Sequence, residues 1–454
     1  MKLNKIFVAL LGLLLIQVFG ATAQQPTTLK ALLQMAETNY PLLKAKQYAV
    51  GAAQKSVEVS THTKIPSLDA AYQIDYATYN NITGMAYPQL LIPISGPPAT
   101  TNNFSGVFGS AASLLLNWQP ITFGQREAQI AYAQSGVTYA SADLANDILQ
   151  HKIKVANAYL DLLTFTELDK LYKENMTRAE ANLANVKTLV ANGIKAGVDS
   201  ALFSAEVAKA NIDRLTIQKS IAQTIILLQQ LSGTDVDMVI ADSSLFAKLP
   251  VDIMISDTVK NPLLSLYNTS IELDKAKRKT IAKTTSPTLG VWATTYARGS
   301  GVAYTGDVKA LDGLGLQRYN YGVGIQLSVP LLQSLKIKPQ LQQQDLLIKA
   351  DEEKLHDVTL QLSKQWQTAN ANMDYTLKTI KAMPVLVQSS YFAYTTIVSR
   401  YNSGLANYAD VVQAQYNLLK AQTDYKTAYM AVWKTLLYKA AVKGDISLFL
   451  NQVN

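Results

Sequence analysis

The chain has 454 residues, a formal net charge of +8 and no cysteine. That length suffices for a large core or several modules. The missing cysteine excludes disulfides, zinc thiolates, thiol nucleophiles and a lipidated N-terminal cysteine. Lysines and arginines are scattered with no dense basic block, so nucleic-acid binding has no support.

Lys2 and Lys5 give a positive start, and residues 6–19 are apolar apart from Gly12 and Gln17. Ala21-Thr22-Ala23 then places small residues where a signal peptidase reads, so residues 1–23 are predicted to be a signal peptide. A membrane anchor fits less well, because the stretch falls short of the ~20 residues needed to span a bilayer. No other stretch resembles a membrane-spanning helix. Removal of the two lysines lowers the formal charge to +6.

Self-comparison reveals two copies of one pattern. Asn39-Tyr40-Pro41-Leu-Leu recurs as Asn261-Pro262-Leu-Leu, and Lys64-Ile-Pro66-Ser-Leu68 as Thr285-Ser-Pro287-Thr-Leu289. Gln119-Pro120-Ile recurs as Val329-Pro330-Leu, and Val190-Ala-Asn192-Gly193 as Arg400-Tyr401-Asn402-Ser-Gly404. Pro41 to Pro66 and Pro262 to Pro287 both span 25 residues; Pro120 to Gly193 spans 73 and Pro330 to Gly404 spans 74. Only the interval from Pro66 to Pro120 is longer than its counterpart, and it holds the turn-rich stretch 92–103, read as an exposed connection. The predicted division is a first repeat over 24–231, an inter-repeat segment over 232–258 and a second repeat over 259–454.

In chain order, period-two alternation comes first. Leu68, Ala70, Tyr72, Ile74 and Tyr76 alternate with Ser67, Asp69, Ala71, Gln73 and Asp75. Ala112, Leu114, Leu116 and Trp118 form a second apolar face, giving a strand pair within 66–119. Tyr319, Tyr321, Val323, Ile325, Leu327 and Val329 form another, within a pair over 287–329. Its first member, from Pro287 to Arg298, alternates poorly because Trp292 falls opposite Leu289 and Val291; its repeat position marks it as a strand.

After Pro120 and Pro330 the period becomes helical. Leu355, Val358, Leu362, Trp366, Ala369, Met373, Leu377 and Ile380 advance by threes and fours, close to the coiled-coil repeat. Residues 125–190 contain no proline, and as one helix would be ~100 Å long. In the second copy Pro384 is expected to kink or break the helix. The fold class is therefore mainly α with a small β part, in two repeats, each a strand pair plus long antiparallel helices.

With a signal peptide, the alternating faces point to a barrel with lipid outside and water inside. An open sheet edge in hydrocarbon leaves amides unpaired at several kcal/mol each, so a spanning sheet closes. Small barrels have about eight strands. A four-strand chain must therefore pool strands with copies of itself.

These landmarks resemble the TolC-like outer-membrane efflux proteins over essentially the whole mature chain. The resemblance rests on Asn39/Pro41 and Asn261/Pro262, on Pro66, Pro287, Pro120 and Pro330, and on Arg400-Tyr401-Asn402-Ser-Gly404 followed by Asp410-Val-Val-Gln413-Ala-Gln415. The first-repeat counterpart of the latter is Asn192-Gly193-Ile-Lys195-Ala-Gly-Val-Asp199. It implies a homotrimer with a shared 12-strand outer-membrane β-barrel, continued by a periplasmic α-helical barrel of Gram-negative bacteria. It also implies a passive channel of a tripartite efflux or type I secretion system. The tips at 190–199 and 400–410, with Gly193, Arg400, Asn402 and Gly404, would dock a periplasmic membrane-fusion adaptor, itself coupled to an inner-membrane pump.

The same resemblance implies that Asp410 and Asp199 line a pore constriction with Gln413, where the family often carries a second Asp, giving a milder cation filter. It further implies a tip latch between Tyr401 and Asp199, whose basic family member is replaced here by Ala406. Asp410 and Asp199 are equally explained as helix-start residues balancing the N-terminal dipole, and Tyr401 as a packed aromatic. No catalytic set, metal-ligand spacing or cofactor motif is recognised: His62, His151 and His356 are far apart, and Gly313-Leu-Gly315 and Gly322-Val-Gly324 lack the helix of a nucleotide site. Asn81-Ile-Thr83 is a chance-level glycosylation match. The competing readings are a periplasmic coiled-coil scaffold or adaptor that never inserts, and a secreted hydrolase.

Overall fold

A computed structural model describes residues 28–80, 94–235, 244–251 and 261–453. The signal peptide 1–23, the Asn81-Ile-Thr83 match, the start of the 92–103 stretch and most of the inter-repeat segment lie outside the described residues. The chain divides into two compact units, one of residues 1–49, 141–268 and 354–454 and one of 50–140 and 269–353. The elements are α1 (Leu29–Asn39), α2 (Pro41–His62), β1 (Ser67–Thr78), β2 (Gly106–Ile121), α3 (Gln125–Ala191) and α4 (Gly197–Ser232), then α5 (Pro262–Lys283), β3 (Thr288–Ser300), β4 (Arg318–Ser328), α6 (Gln333–Asn402), α7 (Tyr408–Lys443) and α8 (Ser447–Val453).

The second unit contains one sheet, ordered β1-β2-β3-β4, with every pair antiparallel. Cross-strand partners share a face, so the register sorts the side chains. One row joins Leu68, Leu116, Ala293 and Val323; the next joins Ala70, Leu114, Thr295 and Tyr321; a third joins Tyr72, Ala112, Ala297 and Tyr319. This face is apolar on all four strands. The opposite face carries Asp69, Gln73 and Asp75 on β1, Ser113 and Asn117 on β2, and Asn320, Gln326 and Ser328 on β4. Trp292 belongs to this polar face, paired with Gly324. A Cβ on Gly324 would sit 2.5 Å from its indole, and one on Gly322 3.1 Å, so the ring lies over two glycines that leave it room. That is why β3 breaks the simple alternation.

The first unit holds the main core. α1 contributes Leu29, Leu32, Leu33 and Ala36, α3 contributes Val155, Tyr159, Leu162 and Leu163, and α7 contributes Met430, Trp433, Leu436 and Leu437. Leu228 and Leu231 of α4, Met373 and Ile380 of α6 and Phe449 of α8 join it. The described part of the inter-repeat segment docks on this core: Leu245 is buried, and its carbonyl accepts the Trp433 indole N–H at 2.9 Å.

Both long helices are continuous, 67 residues in α3 and 70 in α6, each about 100 Å at 1.5 Å per residue. The expected break at Pro384 does not occur; α6 runs through it to Asn402. Pro384 is exposed, and it removes one helical bond among many.

The two repeats close on themselves in the same way. α4 ends at Gly233 and α7 at Gly444, both left-handed, with φ of 66° and 81°. Gly233 lies against Asn39 and Gly444 against Asn261, the two asparagines that open the repeats. Asn261 Nδ2 donates to the carbonyls of Ala441 at 3.1 Å and Val442 at 3.0 Å at the end of α7, where Ala441 also accepts the Gly444 N–H. Tyr40, which separates Asn39 from Pro41 in the first copy only, stacks on His151 at 3.9 Å. The His151 Nε2 bonds the Leu231 carbonyl at 2.8 Å, near the end of α4.

Burial holds the His151 imidazole below its ordinary pKa, assisted by Lys154 and opposed by the bond to Leu231. A lowered histidine pKa means the neutral ring favours the folded state. Its contribution is complete above the ordinary value of about 6.5 and is lost as the pH falls below it. The melting temperature of the solubilised protein is therefore expected to fall on acidification from pH 7 to 5. His151→Phe, which keeps the stacking but cannot titrate, should lose part of that pH dependence. Identical pH profiles for the two proteins would show that His151 is not a contributor.

Candidate functional site

Two regions carry functional geometry, and each is complete within one unit. The first is the sheet. Its apolar face is exposed, with Tyr321 at 89% and Val323 at 77%, although large apolar patches on a lone soluble chain are uncommon. Its outer strands β1 and β4 each have a partner on one side only, so each presents a row of unpaired backbone groups. Among the described residues, no helix is long and apolar enough to cross a membrane.

The second region is the pair of helix tips. After α3, Gly193 is left-handed at φ 71°, and Ile194 N–H bonds the Leu189 carbonyl at 2.9 Å. After α6, Gly404 has φ 77°, and Leu405 N–H bonds the Arg400 carbonyl at 2.8 Å. This is a Schellman-type stop at both tips, for which glycine is the residue without a Cβ penalty. Arg400 also reaches the Leu405 carbonyl at 3.4 Å, and Asn402 accepts from Asn185 at 2.6 Å.

Tyr401 and Asp199 come together. The Tyr401 hydroxyl donates to Asp199 Oδ2 at 2.8 Å, joining the last turn of α6 to the start of α4. Tyr401 is buried with Phe203, Val186 and Val411, so it is also a packed aromatic; the two readings of this residue are compatible. Burial, then the bond to the carboxylate, raises the Tyr401 pKa well above that of a free phenol. Tyr408 is pushed up to about 12 by burial and by Glu206 beside it. Its hydroxyl lies 3.2 Å from the Leu202 carbonyl and 3.3 Å from Glu206. Phenols that stay neutral remain donors to these oxygens throughout the physiological range.

Lys195 was not anticipated. Its Nζ lies 4.2 Å from the centre of the Tyr401 ring, a cation–π contact. It stands two residues past Gly193, as Ala406 stands two past Gly404. Comparison of the repeats thus sets a basic residue in the first copy where the second has Ala406.

Asp410 has a different local geometry. The Asn407 side chain accepts from Asp410 N–H at 3.0 Å, and Asp410 Oδ2 accepts from Asn407 N–H at 3.0 Å. That capping box satisfies two free donors at the start of α7. Asp410 and Gln413 are both exposed, one turn apart, and Gln413 bonds Asn417 at 2.9 Å.

Above the tips, α3 is joined to α6 and α7 by a polar ladder that no sequence pattern revealed. Asn182 donates to Gln415 at 3.0 Å and to Tyr394 at 3.2 Å, and Gln415 donates to Asn175 at 3.1 Å. Arg178 donates to Gln422 at 3.1 Å while its Nε has no partner, and burial lowers its pKa.

The sequence profile of the outer membrane efflux protein family matches residues 32–234 and 271–432, covering both repeats. The chain belongs to this family. An outer membrane efflux protein is a channel component and not an enzyme class, and this assignment places the chain in the outer membrane with a large periplasmic helical portion. It displaces the scaffold and hydrolase readings. Solved structures agree on the fold. The Campylobacter jejuni CmeC outer membrane channel is 14% identical, with TM-score 0.72, over 96% of this chain and 93% of that one. The Neisseria gonorrhoeae MtrE outer membrane channel in its open state is 14% identical, with TM-score 0.71, over 92% and 89%. The Vibrio cholerae outer membrane protein VceC is 16% identical, with TM-score 0.69, over 92% and 96%. Comparison with curated proteins gives no match.

Tyr401→Phe keeps the aromatic packing and removes only the bond to Asp199. Hydrogen bonds to charged groups contribute about 1.5–3 kcal/mol, so tip amides such as Leu405 and Ile194 should exchange at least about tenfold faster. Unchanged exchange would show that packing alone holds the tip.

Proposed function

We propose that three copies of this chain pool their sheets into one twelve-strand barrel across the outer membrane. The barrel and the helices then form a passive duct of a tripartite efflux or type I secretion system. The observation that carries this reading is the sheet register, which puts apolar side chains from all four strands on one face. Four strands are too few to close around a lumen, and lipid cannot satisfy the free edges of β1 and β4. Joining β4 of one copy to β1 of the next removes every edge and leaves Asp69, Gln73, Asn320 and Gln326 facing water inside.

In this reading the tips at Gly193 and Gly404 close the duct and dock a periplasmic membrane-fusion adaptor, which couples the channel to an inner-membrane pump. The bond from Tyr401 to Asp199, with Lys195 over the ring, biases the tip toward its closed arrangement. Three copies of Asp410 around the entrance concentrate negative potential, with Gln413 beside it adding no charge. Asp410 fills this role while capping α7, since a carboxylate engaged by one backbone N–H keeps its charge and its remaining acceptor capacity.

The purified protein, reconstituted into a planar bilayer, should give discrete conductance steps with a preference for cations. Asp410→Asn keeps a capping side chain and removes the charge; it is expected to reduce cation preference and block by trivalent cations several-fold. If Asp410→Asn conducts with unaltered selectivity, Asp410 is a cap and nothing more. If no conductance appears, the duct reading fails.

A further inference from the structure

At the end of the sheet away from Pro66 and Pro287, the connection between β3 and β4 is folded and not loose. Gly301 N–H bonds the Phe108 carbonyl at 2.9 Å, Lys309 N–H bonds Gly301 at 2.8 Å, and Gln317 N–H bonds Arg298 at 2.9 Å. Val302 is buried with Ile94 and Val107. The Ser300 hydroxyl donates to the Ser95 carbonyl at 2.8 Å, tying in the β1–β2 connection as well. Gly299 and Gly313 lie so close to neighbouring carbonyls that neither has space for a Cβ. The 92–103 stretch is accordingly anchored where it is described, and is not simply an exposed connection.

These walls enclose a cavity of 620 Å³, within the usual range of ligand sites, lined by Arg298, Lys309 and Arg318 against the single carboxylate of Asp312. Arg298 and Arg318 are direct cross-strand partners. Like charges in that position are destabilising. Among the described residues, none of the three cations has a side-chain hydrogen bond or ion pair. Two guanidinium forks and an ammonium converging on a rigid, roomy cavity match a phosphate-bearing anion with several charges, which guanidinium grips through paired N–H bonds.

We propose that Arg298, Arg318 and Lys309 form a binding site for a soluble, multiply charged phosphate group at the outer mouth of the channel. The register places the arginine pair on the polar face, with Trp292 and Asn320, and away from the apolar face carrying Tyr319 and Tyr321. The ligand therefore arrives from water and not from the plane of the lipid. The location at the mouth rests on the barrel reading above; the site itself does not.

Calorimetric titration of the detergent-solubilised full chain with tripolyphosphate tests the site. Binding should weaken as salt is raised. Arg318→Gln should lower affinity about tenfold, and Arg298→Gln with Arg318→Gln by more, while Lys338→Gln on α6 leaves it unchanged. Arg318→Gln should at the same time leave thermal stability equal or higher, because it relieves the like-charge pair; lower affinity with lower stability would indicate a damaged fold and overturn the assignment. Equal affinity in wild type and the double variant would overturn it, as would an effect confined to vesicles containing anionic phospholipid. In a bilayer, tripolyphosphate should reduce current from one side only. Binding in detergent with no effect on current from either side would overturn the placement at the mouth and leave the site standing; absence of any current would sink the barrel reading.

Discussion

The fold depends on where backbone amides find partners. Within a helix each N–H is satisfied by its own chain, but a sheet of four strands leaves two rows of donors and acceptors bare. Water can cover them; hydrocarbon cannot, and the cost is several kcal/mol for each group. The apolar face formed by Leu68, Tyr72, Tyr319, Tyr321 and Val323 shows that this sheet is built for hydrocarbon. A chain with such a face and such edges is unfinished alone. Membership of the outer membrane efflux protein family supplies the membrane setting for that face.

The helical part solves a different problem. Each repeat returns on itself through a left-handed glycine, Gly193 or Gly404 at the tip and Gly233 or Gly444 at the far end. Apolar seams along helices this long tolerate sliding by a turn. Polar partners do not, since a displaced Asn175 or Gln415 would be left buried and unpaired at a cost of about 1–3 kcal/mol. The ladder from Asn175 to Asn185 therefore fixes the register of α3 against α6 and α7, and the bond from Tyr401 to Asp199 joins α6 to α4 at the tips. Arg178, with an unpaired Nε in that ladder, is its least satisfied member.

Much of this was legible in the sequence, because periodicity and repeat spacing report directly on faces and turns. β1 and β4 alternate cleanly, and the proline and glycine landmarks mark the turns. β3 was obscured because Trp292 occupies the polar face, where only the glycine pair of β4 makes room for it; two glycines two residues apart were the trace left in the sequence. Pro384 does not break α6, since a proline on an exposed helix face costs one bond and not the helix. Tyr401 with Asp199 was suggested by resemblance, and the structure places them 2.8 Å apart. The contact of Lys195 with the Tyr401 ring joins residues about 200 positions apart, so no local pattern announced it. The buried amide ladder left no pattern, because asparagine and glutamine at helical spacing look like a solvated face until the neighbouring helices are in place.

The absence of cysteine makes the central claim directly testable. One cysteine placed on β1 at Gln73 and one on β4 at Asn320, each then stepped along its strand, tests whether the two edges meet. They are the outermost strands of the sheet, so a bond between them under oxidation in native outer membranes joins separate copies. The account predicts that some registers give covalent dimers and trimers on a denaturing gel and nothing larger. If no register crosslinks, or the protein leaves the membrane as a soluble monomer without detergent, the sheet does not share its edges and the account is wrong.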